Sequence, residues 1–145
     1  MAHNSLHTLI QLSRHHLDEK QRALGMLLHL ESSVAHAIAQ IGAEMQRERE
    51  IAARESSGIG LFYGAYHRAY LERRATLEQK LTTVRFLVER AREELAEAFR
   101  VLKTYEITQS TEDRRLRQEA ERKETAILDE IGLTLHRRKM TGEGA

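Results

Sequence analysis

Apolar residues recur at alternating spacings of four and three along two long stretches of this chain. Because an α-helix has about 3.6 residues per turn, this spacing puts them on one helix face. The first stretch carries two interleaved series, Ile10, Leu17, Leu24, Glu31, Ile38, Met45 and Ala52 with Leu6, Ser13, Lys20, Leu27, Val34, Ile41 and Glu48. The second carries Tyr70, Leu77, Val84, Ala91, Ala98 and Tyr105 with Leu81, Val88, Leu95, Leu102 and Gln109. The pattern predicts two long amphipathic helices.

A short glycine- and serine-containing break, Glu55 to Gly60, separates the two stretches. Serine caps a helix start, and glycine tolerates the backbone conformation that ends a helix. The chain is therefore predicted to be one domain, 1–145, with a helix at about 3–55, a turn at about 56–60, a helix at about 61–139 and a frayed tail at 140–145. The expected fold class is all-α, a long two-helix antiparallel coiled-coil hairpin with a protruding C-terminal helix.

Folding the chain at the break predicts which residues face each other. A register in which paired residue numbers sum to 118 or 119 brings together Leu17 and Leu102, Leu24 and Leu95, Leu27 and Ala91, Val34 and Val84, Ile38 and Leu81, and Ile41 and Leu77. Lys20, Glu31 and Glu48 interrupt this seam. Either their long side chains extend past the seam to water, or they are polar layers that fix the register at some cost in stability.

The second helix is predicted to be longer than the first, and its pairing ends near residue 113. Beyond it a new apolar stripe begins, consisting of Leu116, Ala120, Ile127, Ile131 and Leu135. A single exposed helix is marginal in water, so this stripe predicts a partner, either a second copy or another protein. In the alternative, the chain folds back into a third helix at the weak helix formers of 108–111.

Composition narrows the class of protein. The 145 residues include no proline and no cysteine, and 31% are charged, as is typical of long helices. The 23 basic and 22 acidic residues are interleaved and give a net charge of +1, which argues against nucleic acid as a partner. No signal peptide and no apolar run of membrane-spanning length is evident. We therefore expect a soluble, cytosolic protein.

Catalytic and metal-binding patterns are weak. His3 and His7 have the i, i+4 spacing of a metal clip but lack a nearby third ligand. Nucleotide-binding loops, zinc-protease motifs and serine-hydrolase motifs do not occur in the sequence. A two-helix hairpin also offers no enclosed cavity. We expect no catalytic residue, no metal and no cofactor.

Aromatic residues cluster immediately after the break, at Phe62, Tyr63, Tyr66 and Tyr70. Tyrosines at spacings of three and four can close the end of a helical seam. They are also favoured anchors in protein interfaces, because they combine a large contact area with a polar tip. The sequence leaves both interpretations open.

The chain resembles the flagellar FliJ family, which is related to the YscO-type stalk proteins of type III secretion. The resemblance covers nearly the whole chain. It rests on the length, the two unequal helices, the turn from Ser56 to Ile59 followed by aromatics, the opening SLHTLIQLSRHHLDEKQRAL and the late segment LDEIGLTLHRRK.

The resemblance implies a non-enzymatic component of the flagellar export apparatus, cytoplasmic and peripheral to the inner membrane at the flagellar base. Such a stalk would link the hexameric export ATPase to the membrane export gate and would assist export chaperones. On this interpretation the helix 114–138 and the N-terminal turns enter the ATPase ring, and Phe62, Tyr63, Tyr66 and Tyr70 face the gate. The alternative is a structural coiled-coil protein that self-associates through its C-terminal helix; the chain alone is expected to be a monomer or to self-associate weakly.

Overall fold

In a computed structural model, the chain is entirely helical over the residues that the structure describes, 2–54 and 60–142. Helix α1 spans Ala2–Arg54 and helix α2 spans Gly60–Gly142. The two helices pack against each other, which confirms the predicted all-α helical hairpin. The predicted turn falls almost entirely on residues 55–59, outside the described residues, and so does the tail from 143. Side chains are described from Asn4 to Arg54 and from Tyr63 to Gly142.

One compact unit comprises residues 13–100 and contains most of the helical seam. Among the described residues of this unit, those that are buried are all apolar and belong to the predicted four–three series: Val34, Ile41, Met45, Val84, Val88, Ala91 and Ala98. Removal of these side chains from water stabilises the pairing by roughly 25 cal/mol for each Å² of apolar surface buried. The hydrophobic pattern thus identified the contact face of both helices.

The register of the pair differs from the predicted one. Lys20 Nζ lies 3.0 Å from Glu94 Oε2, and Arg85 Nε lies 3.4 Å from Glu31 Oε1. Arg49 Nε donates a hydrogen bond of 3.2 Å to the hydroxyl of Tyr63. The numbers in these pairs sum to 114, 116 and 112, whereas the predicted sum was 118 or 119. Layers of a heptad repeat recur about every 3.5 residues, so a shift of about one layer keeps the same residues in the seam.

The polar residues predicted within the seam behave in two ways. Lys20 and Glu31 are half-buried, and each forms its ion pair across to the other helix at the edge of the seam. Glu48 is exposed. The long side chains of Lys20 and Glu31 therefore reach partly solvated partners, and no charged residue is buried in the described part of the chain.

A second unit contains the first twelve residues and the segment from Val101 onward. Within it Ile10 is 1% exposed and Leu102 is 5% exposed, so the seam pattern continues there. Every residue from Arg114 to Gly142 is exposed. Because α2 runs without interruption past residues 108–111, where the Thr108 hydroxyl donates to the Thr104 carbonyl, the alternative of a third, folded-back helix is wrong.

Candidate partner-binding surfaces

The C-terminal part of α2 carries the first candidate surface. We call it the C-terminal stripe and define it as predicted, by Leu116, Ala120, Ile127, Ile131 and Leu135. The side chains of Ile127, Ile131 and Leu135 are 59%, 50% and 60% exposed. At 100° per residue, all five positions fall within about 60° of Ile131 on the helix circumference. The stripe is therefore an apolar face, interrupted by Arg117 and Glu124, that the described chain leaves open to solvent.

Neighbouring apolar residues show that this face is directional. Leu128 extends the stripe on one side and is equally exposed. Leu133 and Met140 are also exposed, but they lie on the opposite side of the helix from Ile131. These two residues offer a matched comparison, because they have similar apolar character and exposure but belong to a different face.

Ion pairs within the helix accompany the stripe. Arg115 and Glu112 lie three residues apart with a closest N–O distance of 2.6 Å, and Lys123 and Glu119 lie four residues apart at 3.9 Å. The hydrogen bond to Glu112 raises the pKa of the Arg115 guanidinium. Such exposed pairs three or four residues apart stabilise a helix only slightly. They favour the helical state in a segment without buried side chains.

The second candidate surface lies near the predicted turn, and we call it the aromatic cluster: Tyr63, Tyr66, His67 and Tyr70. Tyr63 and Tyr70 are half-buried, and their hydroxyls accept hydrogen bonds of 3.2 Å from Arg49 and Arg74. The bond to Tyr63 raises the pKa of Arg49. The side chain of Phe62, the remaining predicted member, lies outside the described side chains.

Tyr66 differs from the other tyrosines because it points outward, with 42% of its surface exposed. It borders a small groove of about 130 Å³ lined by Ile41, Glu44, Tyr66, Ala69, Tyr70 and Arg73. The tyrosines therefore differ in exposure: Tyr63 and Tyr70 are half-buried on the seam side, and Tyr66 is exposed.

His67 is a member of this cluster that sequence reasoning missed. Its ring stacks on Tyr63 with centroids 6.0 Å apart and lies 6.2 Å from the ring of Tyr70. Its Nδ1 is buried and has no hydrogen-bond partner. The signal was present in the sequence, because residues 63, 67 and 70 continue the four–three spacing of the second helix.

An apolar depression on α1 was also not predicted. It is lined by Arg22, Gly25, Met26, Leu27, His29, Leu30 and Ser33. Gly25 is part of this lining, and no atom lies within 4 Å of where its Cβ would stand; Met26 beside it is 75% exposed. An apolar depression of this kind can accommodate a bulky side chain.

Among the described residues, no group of three histidine, cysteine or acidic side chains is placed to hold a metal ion. The side chain of His3, half of the weak i, i+4 pair, lies outside the described side chains. None of the described helices combines the length and apolar character needed to cross a membrane.

The fold and its surfaces place this chain in the class of all-α helical hairpins with a narrow apolar seam, an exposed apolar stripe and an aromatic cluster. Comparison with family models identifies the particular family: the model described as "Flagellar FliJ protein" matches residues 2–141. The chain therefore belongs to the FliJ family, a family of flagellar export components. Comparisons with curated proteins and with solved structures give no match.

Proposed function

We propose that this protein is a non-enzymatic stalk of the flagellar type III export apparatus. It couples the hexameric export ATPase to the membrane export gate and assists export chaperones, in the cytoplasm at the inner-membrane base of the flagellum. Membership of the FliJ family supports the setting. The observation that carries the proposal is the C-terminal stripe, an apolar face that remains exposed along the end of α2. A stalk needs such a face, because a helix without seam partners must be covered by what it binds.

The C-terminal stripe is the part that binds the ATPase ring. Exposed isoleucine and leucine side chains at Ile127, Ile131 and Leu135 would each contribute about 1.5–3 kcal/mol if fully buried in an interface, before the costs of association. The charged residues that flank the stripe would lie at the rim of that interface, where they tune orientation more than affinity.

The aromatic cluster is the part that faces the export gate. Hydrogen bonds from Arg49 and Arg74 fix the hydroxyls of Tyr63 and Tyr70, so these rings form a supported platform. Tyr66 adds an exposed ring beside it. Pre-positioned tyrosines lose little conformational entropy on binding, which suits an interface anchor.

ATP hydrolysis by the export ATPase of the same organism, titrated with the full chain, tests the first contact. We expect the wild-type chain to raise the hydrolysis rate. The variant Ile127→Ser/Ile131→Ser/Leu135→Ser should lose the stimulation, because it removes apolar contacts from the stripe. The matched control is Ala126→Ser/Leu133→Ser/Met140→Ser, which changes equally exposed positions on the opposite face and should still stimulate. Loss in both variants, or in neither, would contradict binding through the stripe.

Binding of the full chain to the purified cytoplasmic part of the export gate tests the second contact. Tyr66→Ala should weaken this binding and leave ATPase stimulation unchanged, because Tyr66 is exposed within the aromatic cluster. Phe86→Ala, which removes an exposed aromatic ring farther along α2, serves as the control. Equal weakening by both variants would show that the aromatic cluster is not the contact.

A further inference from the structure

The part of the C-terminal stripe from Ile127 to Leu135 lies between two opposite charges. Glu124 and Arg138 fall on the same side of α2 as Ile131, within about 20° of it on the helix circumference. Both are exposed, and the apolar residues Ile127, Ile131 and Leu135 lie between them. Ile131 is equidistant in sequence from the two charges, and it is also midway between Ile127 and Leu135. The positions on this face are therefore spaced symmetrically about Ile131, and the two charges at its ends have opposite signs.

A surface of this kind is complementary to itself when it is turned end for end. We infer that, in the absence of other partners, two copies of this protein associate through antiparallel C-terminal stripes, with the two Ile131 side chains at the twofold axis. In this register Ile127 of one copy meets Leu135 of the other, and Glu124 meets Arg138. The Ile127–Leu135 and Glu124–Arg138 contacts each occur twice, as off-axis contacts must in a twofold interface.

The opposite orientation is disfavoured by the same charges. A parallel, in-register pair would place Glu124 against Glu124 and Arg138 against Arg138, so like charges would flank the apolar face at both ends. Like charges that face each other across an interface are strongly unfavourable, and such contacts select orientation and partner in helical pairs. The arrangement of charge thus favours a second copy in the antiparallel orientation.

Small residues lie opposite each other at both ends of the antiparallel interface. In the same register Ala120 of one copy lies at the level of Gly142 of the other, so no bulky side chain separates the helices at the ends of the interface. Glu121 and Lys139 lie at one border of the face, and the antiparallel arrangement brings them near each other across the two copies. The inference does not rest on the proposed function, and it concerns the protein before it meets an ATPase.

Sedimentation equilibrium of the full chain at neutral pH and low salt tests the pairing. We expect a monomer–dimer equilibrium. Glu124→Arg and Arg138→Glu should each weaken it by about tenfold or more, because each creates two like-charge contacts per dimer. The double variant Glu124→Arg/Arg138→Glu should restore it. The control Arg122→Glu, a charge reversal on the opposite face, should leave it unchanged. A monomer at every concentration, or a double variant no better than the single ones, would overturn the inference.

Disulfide trapping tests the orientation, since the chain has no cysteine of its own. Under mild oxidation Ile131→Cys should cross-link to its own copy. Ile127→Cys should not do so alone but should cross-link when mixed with Leu135→Cys, because these positions meet only in the antiparallel register. Efficient cross-linking of Ile127→Cys to itself would overturn the antiparallel assignment. Circular dichroism of each variant checks that helix content is retained.

The proposed function and this inference can fail separately. ATPase stimulation without any dimer in the free protein would overturn the inference and leave the stalk function intact. A dimer with the expected charge dependence but no stimulation would do the reverse. If both hold, the ATPase must compete with the second copy for the stripe, and stimulation per chain should fall as the free protein is concentrated into dimers.

Discussion

Two regions of α2 carry similar apolar stripes, but one stripe is buried and the other is exposed. Between residues 77 and 102 the stripe of α2 includes Val84 and Val88, each only 3% exposed. Between residues 114 and 142 every side chain is exposed, although Ile127, Ile131 and Leu135 are at least as apolar. The difference lies in what is available to cover the stripe. An amphipathic pattern indicates that covering the apolar face of a helix is stabilising, but it does not indicate what covers that face.

The largest contrast is expected from truncating an isoleucine in each region. Ile41→Ala, in the buried seam, should lower the free energy of unfolding by about 2–5 kcal/mol, because it leaves a cavity and removes buried apolar surface. Ile131→Ala, in the stripe, should change it by about 0.5 kcal/mol or less. Urea unfolding at high dilution, where copies do not associate, measures both. Equal effects would mean that the stripe is covered within the monomer.

A smaller effect of opposite sign is expected at glycines. Gly25 and Gly132 both lie inside helices, and neither has an atom within 4 Å of where a Cβ would stand. Alanine at either position should favour the helix by about 0.5–1 kcal/mol.

The two substitutions should nevertheless affect different quantities, one the global stability and the other local opening of the helix. Gly25→Ala should raise the global free energy of unfolding, because residue 25 lies in the part of α1 that pairs with α2. Gly132→Ala should mainly slow amide exchange locally in the C-terminal segment, where opening does not require the seam to separate. A global increase from Gly132→Ala at high dilution would show that the two regions unfold together.

The smallest expected effect concerns pH. The hydrogen bond from Lys20 lowers the pKa of the Glu94 carboxyl below its ordinary value of 4.5, with Arg90 and His16 contributing less. A carboxyl with a lowered pKa in the folded state stabilises the fold above its unfolded pKa, and this contribution is lost as the pH falls through the folded value. Stability should therefore decline on acidification below about pH 4.5, and less steeply in Glu94→Gln. An unchanged slope in that variant would remove Glu94 as the cause.

The sequence allowed the seam to be predicted residue by residue but not its register. Buried side chains such as Met45 and Ala98 all came from the four–three series, because burial follows the apolar period directly. The register was wrong by about one layer, because a repeat matches itself again after each layer. Only specific contacts such as Lys20 with Glu94 and Arg49 with Tyr63 distinguish one layer from the next.

The candidate surfaces were predictable in position more than in detail. The C-terminal stripe follows from its own spacing, and its exposure from the shortage of residues in α1 to pair with it. His67 was missed because a histidine in an apolar series does not stand out. The apolar depression that includes Gly25 was missed because a glycine contributes no side chain to the hydrophobic pattern.

The exposure of the helix 114–142 on all sides has a consequence for symmetry. Seen along its axis, this helix has one apolar side at Ile131. On its opposite side the charged residues Arg122 and Asp129 are mixed with Leu133 and Met140, so no rotation maps the helix onto itself. In a ring of identical subunits closed around this helix, one or two subunits would face the apolar side, and the others would face a mixed, partly charged surface. Chemically identical subunits would thereby acquire different affinities and different states. A single helix can in this way give a symmetric ring a direction.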